Sequence, residues 1–305
     1  MLPYIQIARP DHWFKNLFLL PGAASALLLG GEGGEQVWWD LFSALIIACL
    51  TASANYTLNE VLDAQSDRHH PRKRDRPTPR GLVSPRLAIL QYVTLALISA
   101  VVAYFMGQLF FWTIILFLLL GAAYNVRPVR TKDRPYLDIV SESANNPVRL
   151  LLGWAIVEPD VFPPVSIVLV FWLSGAYLMT VKRYAEYRQI GDPEAAAKYR
   201  KSFAFYTEEK LLLSALFYAM NSAFFIAVLL LKYRIEFLVS FPLISLIFAW
   251  YLAIGMQSES VAQTPERLYR QKSFLGFIAF TVVLFAILTV QDLPFLQFFL
   301  QPIQP

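Results

Sequence analysis

The residues best able to do chemistry lie in the run NEVLDAQSDRHHPRKRDRPTPR, from Asn59 to Arg80. Asn59, Asp63 and Asp67 recur at every fourth position. If the preceding helix continues through them, they share one face at about 6 Å per step. A basic run follows: Arg68, Arg72, Lys73, Arg74, Arg76 and Arg80. Oxygen ligands beside clustered cations suit a diphosphate carried on Mg²⁺, which is usually held by one or two carboxylates together with substrate phosphates. The same charges also fit a plain inner loop between two membrane helices, where Lys and Arg accumulate.

Four further groups could share such a site. Asp138, Glu142 and Arg149, with Asn145 and Asn146, fall inside an apolar stretch. Ionisable side chains there are costly and mark either a function or a buried pair. Asp138 and Glu142 are one turn apart, and Glu142 and Arg149 lie on roughly one face, so they could form the polar wall of a cavity open to the cytoplasm. The run KRYAEYRQIGDPEAAAKYRKSFAFY interleaves Lys182, Arg183, Glu186 and Arg188 with tyrosines. Arginine forks of this kind grip phosphate oxygens, and the same stretch could lie against anionic headgroups. Lys15 stands with Arg9, Trp13 and Phe14 in IARPDHWFKN, just before the first apolar run. Tyr124 opens YNVRPVRTKDR, another basic loop. His69 and His70 are adjacent without a third ligand nearby and read as loop residues.

These groups must be positioned by membrane helices. Apolar runs near the ~20-residue spanning length occur at 17–31, 41–58, 87–106, 109–124, 137–157, 165–181, 211–231, 237–256 and 274–290. The first is short and contains Pro21; the fifth is unusually polar. The expected fold is all-α, a polytopic bundle of nine transmembrane helices forming one domain over residues 1–305. With the N-terminus inside and the C-terminus outside, all of the 26 Lys and Arg residues except Arg149, Lys232 and Arg234 fall on inner segments, as the positive-inside rule requires. Every charge-rich loop then faces the cytoplasm, and the plasma (inner) membrane is the expected location.

Composition agrees. Of 305 residues, 57% are hydrophobic and 16% charged, against about 25% charged in average soluble chains. No P-loop, dinucleotide fingerprint or zinc-type spacing is present, and the single cysteine, Cys49, excludes an internal disulfide. The N-terminus, with Pro3, Asp11 and His12, does not read as a cleavable signal.

Three features carry a resemblance: ARPDHWFKN at the start, N-E-x-x-D-x-x-x-D at 59–67, and nine apolar runs with charged inward loops. Together they resemble the UbiA superfamily of intramembrane prenyltransferases over nearly the whole chain. The family motif N-D-x-x-D-x-x-x-D implies Mg²⁺ binding by Asn59, Asp63 and Asp67; Glu60 stands where the family has Asp, one methylene longer. Typical members carry a second acid cluster after the sixth span, whereas here that place holds the basic KRYAEYRQIGD. That departure, with YRKSFAFYT and the block from Asn59 to Pro77, is similar to the decaprenyl-phosphate phosphoribosyltransferase branch. The resemblance implies transfer of 5-phosphoribose from phosphoribosyl diphosphate to a polyprenyl phosphate, for cell-envelope or glycolipid biosynthesis. Asp63 and Asp67 would be catalytic. Lys73, Arg76, Lys182 and Arg183 would hold the 5-phosphate and the acceptor phosphate. Lys15, Arg68, Tyr124, Asp138, Glu142, Arg149, Glu186 and Arg188 complete the expected substrate-binding set. No nucleic acid is expected as a partner, and the oligomeric state stays open. Two other readings remain: a conventional prenyltransferase, with Asp138 and Glu142 as its second acid pair, and a transporter or lipid-binding scaffold.

Overall fold

Apolar length and proline position decide the architecture. The computed structural model describes residues 2–68 and 74–296, and every regular element among them is helical. The chain falls into two compact units. One comprises residues up to Pro164 together with Tyr199–Ser202; the other comprises Val165–Lys198 and the chain from Phe203 onward.

The first unit contains α1 (Pro3–Ala8), a 3-10 helix (Pro10–Leu19), α2 (Leu20–Leu28), α3 (Glu35–Asp67), α4 (Pro85–Met106), α5 (Gln108–Asn125), a short 3-10 helix (Thr131–Asp133), α6 (Leu137–Ser143) and α7 (Asn145–Val157). The second contains α8 (Val165–Ile190), most of α9 (Pro193–Tyr199), α10 (Glu208–Tyr233), a 3-10 helix (Ile235–Ser240), α11 (Phe241–Gly255) and α12 (Lys272–Leu288).

Among the described residues six helical stretches are long and apolar enough to cross a membrane: Glu35–Gln65, Pro85–Met106, Gln108–Asn125, Val165–Ile190, Glu208–Tyr233 and Ile235–Gly255. They match the second, third, fourth, sixth, seventh and eighth expected spans. The remaining three are shorter or interrupted. The first is a 3-10 helix followed by the nine-residue α2, with Pro10 and Pro21 in the opening turns of the two pieces. The fifth is not continuous: α6 ends at Ser143 and α7 begins at Asn145. Pro147 has no N–H to offer the carbonyl four residues earlier, that of Ser143, so the ladder breaks there. The last, α12, is 17 residues long.

Close helix approach in the first unit depends on small residues, as it does in apolar solvent generally. A Cβ on Gly22 would collide with the Leu150 carbonyl, and one on Gly153 with the Leu19 carbonyl, so α2 and α7 meet backbone to backbone. The N-terminus is tied down by Ile7, Val83 and Ala88, packed with Tyr4 and Val61. Gln91 Nε2 donates to the Tyr4 carbonyl at 3.0 Å, fixing α1 to α4.

Candidate active site

The acid stripe forms because α3 does not stop at its apolar boundary. It runs for 33 residues to Asp67, so Asn59, Glu60, Asp63 and Asp67 are all helical. Glu60, Asp63 and Asp67 are buried and Asn59 is half-buried. Buried carboxylates require partners, and neighbouring loops supply them. Asp67 Oδ2 accepts from Arg76 Nη1 at 2.7 Å. Asp63 Oδ1 accepts from two cations, Lys132 Nζ at 2.6 Å and Arg130 Nη2 at 2.9 Å.

Those two cations are themselves held. Arg130 donates through Nε to Asp133 Oδ2 at 2.9 Å and through Nη1 to the Asn125 carbonyl at 3.1 Å. Lys132 Nζ donates to Asn125 Oδ1 at 2.8 Å and lies 5.9 Å from the centre of the Tyr124 ring. Burial pushes the Lys132 ammonium below the usual lysine range, while neighbouring Asp63 pulls it back up. Tyr124 Oη donates to Glu142 Oε2 at 2.9 Å, and Asn145 Nδ2 donates to the Glu142 carbonyl at 3.0 Å. A continuous polar path therefore runs from Asp63 through Lys132 and Tyr124 to Glu142.

Glu60 points to different partners. Its Oε1 accepts from Thr78 N at 3.5 Å and Thr78 Oγ1 at 3.4 Å, and its Oε2 lies 3.7 Å from Arg9 Nη2. The Arg9 guanidinium also sits 5.6 Å from the Tyr56 ring centre. Glu60 is thus a strut joining the N-terminal segment, α3 and the loop before α4. Arg9 and Arg130 both reach their acids from a left-handed backbone, at φ 49° and 30°. Such conformations cost on the order of 1–3 kcal/mol each and persist where surrounding contacts over-determine them.

The other expected residues fall as follows. Arg68 is exposed just past α3; Lys15 is half-buried, its Nζ 5.9 Å from the Phe14 ring centre. Lys73, like His69, His70 and Arg72, lies outside the described residues. Asp138 is fully buried, with Ser202 Oγ donating to its Oδ2 at 3.1 Å and Arg200 Nη1 at 3.7 Å. Lys201, next in line, reaches Asp133 Oδ2 at 3.5 Å. Arg149 donates through Nε to Asn16 Oδ1 at 2.9 Å and through Nη1 to the Asn145 carbonyl at 3.2 Å. In the second unit, buried Arg183 pairs with Glu186 at 3.1 Å, exposed Arg188 donates to Tyr184 Oη at 2.8 Å, and Lys182 is half-buried on the same helix.

Asp63, Asp67, Arg76, Tyr124 and Glu142 therefore come together in the first unit, whereas Asp138 and Arg149 make bonds elsewhere in it. Sequence reasoning did not single out Arg130, Lys132, Asn125 or Asp133. Their signal was present only as a basic inner loop, with no cue to which cation lands on which acid.

Among the described residues no group of three or more His, Cys, Asp or Glu could by itself hold a metal ion. Two carboxylates one turn apart with an amide one turn before them fit a hard cation that completes its shell with water and phosphate, not one needing a full protein cage.

An all-helical membrane fold with a buried acid stripe facing basic loops defines the class. The fold is shared by the solved structure of a UbiA homolog from Archaeoglobus fulgidus bound to DMAPP and Mg²⁺, with a TM-score of 0.68 over 94% of this chain and 99% of that one at 21% identity. The UbiA prenyltransferase family matches residues 18–280, and the chain belongs to that family of integral membrane transferases. The decaprenyl-phosphate phosphoribosyltransferase of Mycolicibacterium smegmatis is 30% identical over 211 residues, 68% of this chain and 63% of that enzyme's length. A 4-hydroxybenzoate octaprenyltransferase of Xylella fastidiosa is 34% identical over 154 residues, 50% of this chain and 48% of that one.

Proposed function

We propose that this protein transfers 5-phosphoribose from phosphoribosyl diphosphate to a polyprenyl phosphate, releasing diphosphate, with Mg²⁺ as its metal. The observation that carries the reading is the balance of charge around Asp63. Among the described residues Asp63 pairs with Arg130 and Lys132, Asp67 with Arg76, and Asp133 with Arg130 and Lys201. A cluster whose acids already carry cation partners gains positive charge on binding a divalent ion, and substrate phosphates would supply the compensating anions. A donor with a diphosphate and a separate 5-phosphate, and an acceptor with a third phosphate, suit this surplus better than a single diphosphate with a weakly charged aromatic acceptor does.

Asn59, Asp63 and Asp67 would hold the metal, which would neutralise the leaving diphosphate. Arg76, Arg130 and Lys132 would then exchange carboxylate oxygens for phosphate oxygens a short distance away, orienting the donor without being newly desolvated. Arg130 and Arg76 present planar forks suited to phosphate. Lys182, Arg183 and Arg188 of α8 form a second cationic set of the same chemistry. The acceptor phosphate is already an anion, so its attack on the ribose carbon requires no general base. Catalysis is then positioning and charge compensation. The reading puts the N-terminus and all basic loops on the cytoplasmic side of the plasma membrane, with both units acting as one domain and nine segments in the bilayer.

The experiment supplies purified protein with phosphoribosyl diphosphate labelled in its ribose, a polyprenyl phosphate and Mg²⁺. Label should pass into the lipid phase, and EDTA should prevent it. No lipid-borne label, with turnover of a prenyl diphosphate and 4-hydroxybenzoate instead, would establish the second reading, which the octaprenyltransferase likeness over half the chain favours.

A further inference from the structure

Three cations are buried among the described residues: Lys132, Arg149 and Arg183. Lys132 has Asp63 and Arg183 has Glu186. Arg149 has no carboxylate within ion-pair distance among the described residues. All its partners are neutral: Asn16 Oδ1 on Nε, the Asn145 carbonyl on Nη1, and the Phe117 ring, whose centre is 5.4 Å from the guanidinium carbon. Its Nη2 meets no acceptor among the described residues. A guanidinium cannot escape by releasing its proton, and a buried charge without a counter-ion in an apolar bundle is expensive and marks function.

We infer that Arg149 is a binding site for the phosphate of a lipid, and, resting on the transfer reaction proposed above, for the phosphate of the polyprenyl acceptor. The scaffold around it is built. Asn16 is fully buried, and its Nδ2 donates to Cys49 Sγ at 3.3 Å, which turns Oδ1 toward Arg149. The guanidinium is thereby fixed on its Nε side and at one Nη1 bond, and its remaining edge is a preformed phosphate fork. Depth separates this site from the carboxylates. The Phe117 carbonyl also accepts from Asn55 Nδ2 at 3.0 Å, which sets the guanidinium near the level of Asn55. Asn55 precedes Asp63 by eight residues of α3, about 12 Å of helix rise. A phosphate that far into the apolar bundle is better carried on an isoprenoid, whose tail gains by burial, than on a free sugar.

The test measures binding to full-length protein in detergent for three probes: a short polyprenyl phosphate, the matching polyprenol, and phosphoribosyl diphosphate with Mg²⁺. Arg149→Met should weaken polyprenyl phosphate by about 10- to 100-fold, the value of a lost charge-assisted hydrogen bond, and bring it close to polyprenol. Arg149→Lys should recover part of the loss. If Arg149→Met does not fold, Asn16→Asp serves instead. It gives the guanidinium an internal carboxylate, so it should keep the fold and still lower affinity for polyprenyl phosphate alone. Unchanged affinity in a folded variant overturns the proposal, as does an equal loss for polyprenol or a loss confined to phosphoribosyl diphosphate. Wild-type protein that binds polyprenyl phosphate through Arg149 but makes no phosphoribosylated lipid would refute the transfer reaction and leave the subsite standing.

Discussion

Replacing Asp63 by Asn separates what that carboxylate does for the fold from what it does for the reaction. The Asp63, Lys132 and Arg130 side chains are 12%, 9% and 15% exposed, so solvent screens their contacts little. Stripping one partner from a buried pair costs about 3–5 kcal/mol. The substituted amide could still accept one bond, Arg130 keeps Asp133 and Lys132 keeps Asn125, so the expected loss is nearer about 2–3 kcal/mol. That lowers Tm by roughly 3–5 °C for a chain of this size, read by tryptophan fluorescence in detergent. Adding Lys132→Met removes the stranded ammonium, and the double variant should regain about 1–2 kcal/mol as coupling between contacting sites. Transfer of labelled phosphoribose should not return with it. A lost electrostatic contact to the leaving group costs about 10²- to 10³-fold, and the double variant should be no faster than Asp63→Asn. If transfer recovers together with Tm, Asp63 serves only to neutralise Lys132 and the metal reading is wrong.

EDTA should abolish transfer yet move Tm by less than about 2 °C, because Asp63 and Asp67 already carry Arg and Lys partners; a large drop on chelation would show that the metal holds the fold. Glu60→Asp introduces the residue usual in the family and withdraws the carboxylate from Thr78 and Arg9; it should cost about 1 kcal/mol and speed proteolysis between residues 74 and 84 without tightening metal binding, and a gain in metal affinity would refute the strut. Gly153→Ala forces a methyl onto the Leu19 carbonyl and should lose about 1–3 kcal/mol; an unchanged Tm would mean α2 and α7 are not so close. Asp138→Asn should destabilise by about 2–3 kcal/mol, with Arg200→Met added to it restoring part of the loss; no recovery would show that Arg200 is not its partner.

What the sequence disclosed was whatever a single helix dictates. Asn59, Asp63 and Asp67 share a face by period alone, and that required only that α3 run on to Asp67, which it does. The six long apolar helices were equally plain, since composition over some twenty residues suffices. The break in the fifth run was less so. Asn145 and Asn146 were visible as polar residues in an apolar stretch, but the break at Ser143 follows from the missing N–H of Pro147, a backbone fact that hydropathy does not register. The partners of the acids were illegible for a different reason. Arg130 and Lys132 lie more than sixty positions from Asp63, and their loop reaches it through an unfavourable left-handed turn at Arg130. No local preference points to that turn; the contacts it makes hold it.

This asymmetry bears on how the charged residues should be interpreted. In water, a cation near a carboxylate says little, since exposed pairs contribute about 0–1 kcal/mol. In the interior of a membrane bundle every charge must be answered, so the identity of the answering group carries information. Arg183 is answered at one Nη by Glu186, one turn on in α8. Lys132 is answered by Asp63 through Oδ1; a metal bound at that carboxylate would compete with the ammonium for its charge, and another anion would then have to answer it. Phosphate on the same metal provides it. Metal and diphosphate should therefore bind together more tightly than either binds alone, a coupling that a site built from carboxylates alone would not require.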